Sequence, residues 1–94
     1  MGDVYRNSVM IVGDVLRIAD ESGMSGVNLT CLLRKANLSY GRLSSVATRL
    51  MQAGLMDEQV QEGQRIYMIT SRGRDYLQKY QQFAAAMESF GLKL

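Results

Sequence analysis

The chain contains no histidine, no proline and only one cysteine, Cys31. A single thiol excludes an intramolecular disulfide, and without histidine the chain lacks the donor set of a structural zinc site. The same absence leaves Cys31 without a histidine base, and neither a GxGxxG nor a GxxxxGKS/T phosphate loop occurs. No paired carboxylates fall at a plausible catalytic turn. An enzyme, a bound cofactor and a metal centre are therefore not expected. No run approaches the roughly 20 apolar residues that span a bilayer, and the N-terminus lacks a basic stretch followed by an apolar signal segment. An intracellular, cytoplasmic protein with no membrane partner is the expectation. Internal repeats are absent, and the one biased tract is Ala84 to Ala86.

What is present is an ordinary folding composition. Ninety-four residues, 47% hydrophobic and 21% charged, suit one domain with a modest core but no deep cleft between subdomains. Seven methionines bear mainly on packing. The net charge of +2 is small, but its distribution is uneven. Residues 1–33 sum to −2, whereas 34–56 carry Arg34, Lys35, Arg42 and Arg49 with no acid, a sum of +4. Residues 57–64 then sum to −3 and 65–94 to +3.

The basic block coincides with the stretch ANLSYGRLSSVATRLMQAGL, Ala36 to Leu55, which reads as the turn and second helix of a helix-turn-helix. Asn37 can adopt a left-handed conformation that ends one helix, Leu38 can enter the core, and Ser39 can cap the next. Leu43, Val46, Ala47, Leu50 and Met51 follow the i, i+3, i+4, i+7 spacing of one buried stripe, and Gly54 stops the helix. The wet face holds Tyr40, Arg42, Ser45, Thr48, Arg49 and Gln52. Two guanidinium groups among small hydrogen-bonding side chains, with no acid, suit a polyanion.

Around this stretch the chain divides readily. A first helix is expected from near Asp3 to Ser22-Gly23, burying Val4, Ile11, Val12, Val15, Leu16 and Ala19, with Arg6, Asp14, Arg17, Asp20 and Glu21 in solvent. Met24 to Asn28 reads as a connector or brief strand ending in a cap at Asn28. A second helix, Leu29 to Ala36, turns Leu29, Leu32, Leu33 and Ala36 to one face and leaves Thr30, Cys31, Arg34 and Lys35 more exposed. After Leu55 and Met56 the polar DEQVQEGQ and the β-rich RIYMIT read as a hairpin, with a loop of several residues around Gln61 to Gln64. Thr70 caps a last helix, about Ser71 to Glu88. Its Tyr76, Tyr80, Phe83, Met87 and Phe90 alternate four and three apart as a heptad seam that Leu77 and Ala84 broaden. A helix of this length, roughly 27 Å, outruns a small head. Its later part then needs a partner, most simply a second copy of the chain, and Phe90 to Leu94 forms a frayed or partner-bound tail.

The expected fold is mainly α with a small β-hairpin, an α+β winged helix-turn-helix head over residues 1–70 followed by a long C-terminal dimerisation helix, residues 71–94, within the same structural unit. The sequence Lys35-Ala36-Asn37-Leu38-Ser39-Tyr40, then Leu43, Leu50 and Gly54-Leu55, and finally Tyr67, Thr70, Gly73, Tyr76 and Leu77, resembles a family of small archaeal winged-helix proteins with a C-terminal dimerising coiled coil. These residues cover about two thirds of the chain. The resemblance implies an antiparallel coiled-coil homodimer and DNA contact through Ser39 to Arg49 and through the wing, Gln61 to Arg65. Cys31, Arg34 and the short wing with Glu62 depart from the family pattern.

Candidate contacts to double-stranded DNA are Arg34, Lys35, Ser39, Tyr40, Arg42, Ser45, Thr48, Arg49, Gln64 and Arg65. An arginine can bond guanine O6 and N7 together while its neighbours reach phosphates. Arg42 lies in a first turn, where it opposes the helix dipole by about 0.3 to 1 kcal/mol unless an anion compensates. Gly41 beside it lets backbone approach a phosphate closely. Tyr40 suits either a phosphate contact or the edge of the core, and Arg34 and Lys35 suit either a phosphate or the C-terminal end of their own helix dipole. Arg65 is the better wing candidate, whereas Glu62 repels phosphate. Tyr76, Tyr80, Phe83, Ala84, Met87 and Phe90 are the candidate dimerisation residues. The expected protein is a homodimeric winged-helix transcription regulator or chromatin-associated protein. A protein-interaction module without DNA affinity is the alternative, and a ligand- or redox-responsive regulator using Cys31 is a third reading.

Overall fold

The computed structural model describes residues 8–92. Helix α1 covers Ser8–Glu21, and the expected start near Asp3, with Val4 and Arg6, lies outside the described residues. A single 3-10 turn, Gly23–Ser25, leads into a two-residue strand β1, Val27–Asn28. Helices α2, Leu29–Ala36, and α3, Tyr40–Gln52, follow, then strands β2, Met56–Gln61, and β3, Gln64–Ile69, and finally α4, Ser71–Ser89. The sheet is antiparallel in the order β1-β3-β2. This is an α+β winged helix, as the sequence pattern leads one to expect.

Local chemistry sets the boundaries of the central helices. Asn28 caps α2 by accepting from the Cys31 N–H at 2.8 Å, and Ser39 caps α3 by accepting from the Arg42 N–H at 3.2 Å. Between them Asn37 takes φ 55 and ψ 50, so that its N–H and that of Leu38 bond back to the Arg34 and Leu33 carbonyls. The same double closure recurs after α3, where the Gly54 and Leu55 N–H groups reach the Met51 and Leu50 carbonyls at 3.0 and 2.9 Å. Thr70 then ties the last helix to that turn. Its hydroxyl donates to the Gly54 carbonyl at 2.8 Å and accepts from the Gly73 N–H at 2.9 Å.

The core lies where α1, α2 and α3 meet the inner face of the sheet. Leu16, Leu32, Leu43, Met56 and Val15 are its largest fully buried side chains, each contributing on the order of 1.5–3 kcal/mol of transfer free energy. Ile18, which the helical pattern of α1 did not single out, is also buried. Asp14 departs from the expected solvated face: it is half buried, because α4 packs beside it on α1.

The hairpin loop is tighter than expected. Gln61 and Gln64 pair across the strands, leaving Glu62 and Gly63 as a two-residue turn with φ of 51 and 78. Positive φ at both positions is the primed turn whose twist matches the strands. The wing is therefore β-structured almost to its tip.

Helix α4 starts on the head and leaves it. Leu77 is buried, and Tyr76 and Tyr80 are half buried against the core, with the Tyr80 ring lying on Gly13 of α1. An ion pair of 3.3 Å between Arg74 and Asp20 joins the same two helices. Farther along, Phe83 and Phe90 are 50% and 79% exposed. The expected frayed tail is instead closed at its start. The N–H groups of Gly91, at φ 77, and Leu92 return to the Glu88 and Met87 carbonyls at 2.9 Å.

Candidate nucleic-acid interface

Packing Leu43, Val46, Ala47 and Leu50 inward turns Ser39, Tyr40, Arg42, Ser45, Thr48 and Arg49 outward, and all six are exposed. Their neighbours divide them into two edges. Arg42, Ser45 and Arg49, spaced i, i+3, i+7, border the start of α1 at Ser8, Ile11 and Val12. Tyr40, Ser44 and Thr48, spaced i, i+4, i+8, border the wing at Glu58, Arg65 and Tyr67. The cations of α3 thus share the edge away from the wing. The cleft on that edge, about 50 Å³, is far smaller than the roughly 300 Å³ of a typical small-molecule site.

Arg42 and Arg49 have no acidic partner among the described residues. The ion pairs there are Arg17 with Glu21, Arg74 with Asp20 and Lys79 with Asp75, all on α1 and α4. The pairs leave the exposed face of α3 uncompensated, in agreement with its acid-free sequence. Ser39 uses its hydroxyl for the cap of α3.

On the other edge Gln64 and Arg65 come together with Tyr40 around an open groove of about 510 Å³ that Asn28, Leu29 and Thr30 close from the start of α2. Asn28 and Thr30, expected only as a cap and an exposed position of α2, and Ser44 are not among the contacts expected from the sequence. They enter because the short strand β1 pairs Val27 with Tyr67 and Asn28 with Ile66, which sets the beginning of α2 beside the wing. Arg34 and Lys35 remain apart from both edges, at the exposed last turn of α2. There they complement the helix dipole, and an Arg34 N–H lies 3.8 Å from the Cys31 sulfur.

The strand register aligns Glu58 with Tyr67 and Val60 with Arg65, and alternation places all four on the face towards α3. Arg65 is held above its ordinary pKa by its hydrogen bond to Tyr67, then by the potentials of Tyr40 and Glu58. Tyr67 is itself raised, first by burial and then by donating to the Glu58 carboxylate. The wing cation therefore lies in the field of an acid, Glu58, that carries no sequence signal of its own. Val60, beside it, is 69% exposed.

A helix-turn-helix followed by a hairpin against its second helix defines a class. The chain belongs to the winged helix-turn-helix family, whose model matches residues 5–88. Among solved structures its fold is similar to that of Sso10a-2, a DNA-binding protein from Sulfolobus solfataricus, with a TM-score of 0.80 and 20% identity over 90% of this chain and 85% of that one. It is also similar to the PcaV transcriptional regulator from Streptomyces coelicolor, with a TM-score of 0.75 and 17% identity over 85% of this chain. A third likeness is to BpsR of Bordetella bronchiseptica, a protein of regulated DNA binding, with a TM-score of 0.73 and 16% identity over 95% of this chain and 67% of that one. The chain spans 60% of the PcaV chain. No curated protein matches it by sequence. At these identities the likeness is one of fold, a fold shared with DNA-binding transcriptional regulators. Among the described residues no helix is long and apolar enough to cross a membrane, and no cluster of His, Cys, Asp or Glu could hold a metal ion.

Proposed function

We propose that the protein is a homodimeric winged-helix DNA-binding protein, a transcription regulator or chromatin-associated protein. Helix α3 enters the major groove, and the wing reaches the adjacent backbone or minor groove. The observation that carries this reading is the exposed face of α3, where Arg42 and Arg49 stand without an acidic partner among the described residues. Arg42 and Arg49 lie about two helical turns apart along one face, roughly 10 Å, a spacing at which one can read a base edge while the other holds a phosphate. The groove between the wing and the start of α2 offers Thr30, Tyr40, Gln64 and Arg65 to the strand that runs between the two grooves of DNA.

Dimerisation draws on α4. Beyond Tyr80 the helix carries Phe83, Ala84, Met87 and Phe90, with the two phenylalanines exposed. Burying each ring against a second copy yields on the order of 1.5–3 kcal/mol. Tyr76 and Tyr80 begin the same seam while resting on their own head. Two heads so joined read neighbouring major grooves when their α3 helices stand about 34 Å apart.

The test combines a solution mass with titration of a mixed-sequence duplex. A dimer that binds, and binds less well as Arg42→Ala or Arg49→Ala, is expected. A monomer overturns the pairing, and affinity indifferent to both arginines overturns the interface. The same exposed Phe83 and Phe90 also suit a protein-interaction module, whose mark is selective capture of a protein with no affinity for duplex DNA.

A further inference from the structure

The wing is acidic where a DNA-binding wing should be basic. Strands β2 and β3 with their turn carry Asp57, Glu58 and Glu62 against Arg65 alone. Of the three acids, Glu58 has the decisive place. It pairs across the strands with Tyr67, faces α3, and lines the same groove as Tyr40, Ser44, Thr48 and Arg65. Asp57 points to the opposite face, opposite Met68, and Glu62 occupies the turn. Glu58 and Arg65 make no direct ion pair, but the exposed guanidinium lies in the field of the carboxylate. Tyr67 lies directly opposite Glu58 in the register and two residues along the same strand from Arg65, so the three side chains share one face of the wing.

We propose that Glu58 is a specificity-determining residue that restrains Arg65, suppressing sequence-independent attachment of the wing to phosphate and leaving discrimination to α3. This rests on the DNA-binding reading. Phosphate attraction supplies nearly all of non-specific affinity and is read by no base, so a fixed acid in the phosphate path lowers the background more than it lowers base-specific contact. A carboxylate in that position also repels the backbone directly. The two effects share a sign, but only the first depends on Arg65.

The experiment is a double-mutant cycle on the full chain, using a 30-base-pair mixed-sequence duplex at several salt concentrations. Glu58→Gln keeps the size and shape of the side chain and removes its charge. It should tighten binding about three- to tenfold at 50 mM salt and steepen the logarithmic salt dependence, by up to about one counterion. In an Arg65→Gln background the gain from Glu58→Gln should fall to less than half. Glu62→Gln serves as the comparison, and its gain should be the same with or without Arg65. Unchanged or weaker binding by Glu58→Gln overturns the proposal, as does a gain that survives loss of Arg65 or an equal dependence of both gains on Arg65. Failure of the unmodified protein to bind the duplex at low salt overturns the DNA-binding reading as well, which separates the two.

Discussion

Replacing Gly73 with alanine sets two physical effects against each other. Gly73 lies in the first turn of α4, and a Cβ there would collide with the Leu55 carbonyl oxygen and stand 2.7 Å from Ile69 Cγ1. That carbonyl accepts the Thr70 N–H at 3.1 Å, so it cannot retreat without loosening the junction between the wing and α4. Overpacking of this kind costs about 1–3 kcal/mol, and the loss of the junction bond about 1 kcal/mol more. Helix propensity works the other way, favouring alanine by up to about 1 kcal/mol and by less in a first turn. The collision wins, for a net loss of about 1–3 kcal/mol, or roughly 5–20 °C in Tm for a domain of this size. Gly41 is the counterpart in the first turn of α3, where a Cβ meets nothing within 4 Å. Gly41→Ala should be neutral or slightly stabilising. Thermal unfolding of both variants at one fixed protein concentration decides the matter. Gly73→Ala as stable as the parent would refute the close approach of α4 to the Leu55 turn.

Asn37→Ala should cost about 1–2 kcal/mol through its left-handed backbone, whereas Asn37→Gly should be tolerated, as measured by urea denaturation. Phe83→Ser, at an exposed site on α4, should convert a dimer to monomer in sedimentation while circular dichroism retains the helical signal of the head. A monomeric parent would contradict it. Tyr67 and Tyr80 are both raised above the ordinary 10.0, mainly by burial and then by Glu58 and Asp14 respectively. A phenol that holds its proton more tightly when folded contributes stability that is intact below pH 10 and lost as pH rises through its folded value. Phenolate absorbance should therefore show two tyrosines ionising late and together with unfolding, and Tyr67→Phe should remove one of them.

The elements that rest on neighbours in sequence were legible without a structure. Asn37, Leu38 and Ser39 specify a turn by their own conformational preferences, and Leu43, Val46, Ala47 and Leu50 fall on the buried face as their spacing requires. The limits of α2 at Leu29 and Ala36 follow from Asn28 and Asn37 in the same way. The wing turn was not legible. Glu62 in a positive-φ position carries no sequence signal of the kind that Asn-Gly carries, so the loop looked longer than two residues. Strand β1 is two residues long and exists only through its pairing with β3.

The site divides along the same line. Which residues of α3 face outward is a matter of period, and Tyr40, Arg42, Ser45, Thr48 and Arg49 were all recovered from it. Which element each of them faces is non-local, and so the separation of Arg42 and Arg49 from the wing edge, and the presence there of Glu58, emerged from the register of β2 on β3. The heptad spacing of α4 puts Tyr76, Tyr80, Phe83, Met87 and Phe90 in one series. It could not show that Tyr76 and Tyr80 rest on α1 and the core while Phe83 and Phe90 stand clear.

In the proposed function the exposed cations of α3 meet a nucleic-acid backbone and its bases. Its most direct test is the salt dependence of duplex affinity for the parent, Arg42→Ala and Arg49→Ala. Each phosphate contact contributes about 0.9 to the slope of log affinity against log salt. Tight binding at low salt and a steep slope are expected, with a slope shallower by about one for a variant whose lost arginine held a phosphate. A parent that ignores duplex DNA at low salt, or three proteins with the same affinity and slope, would contradict it.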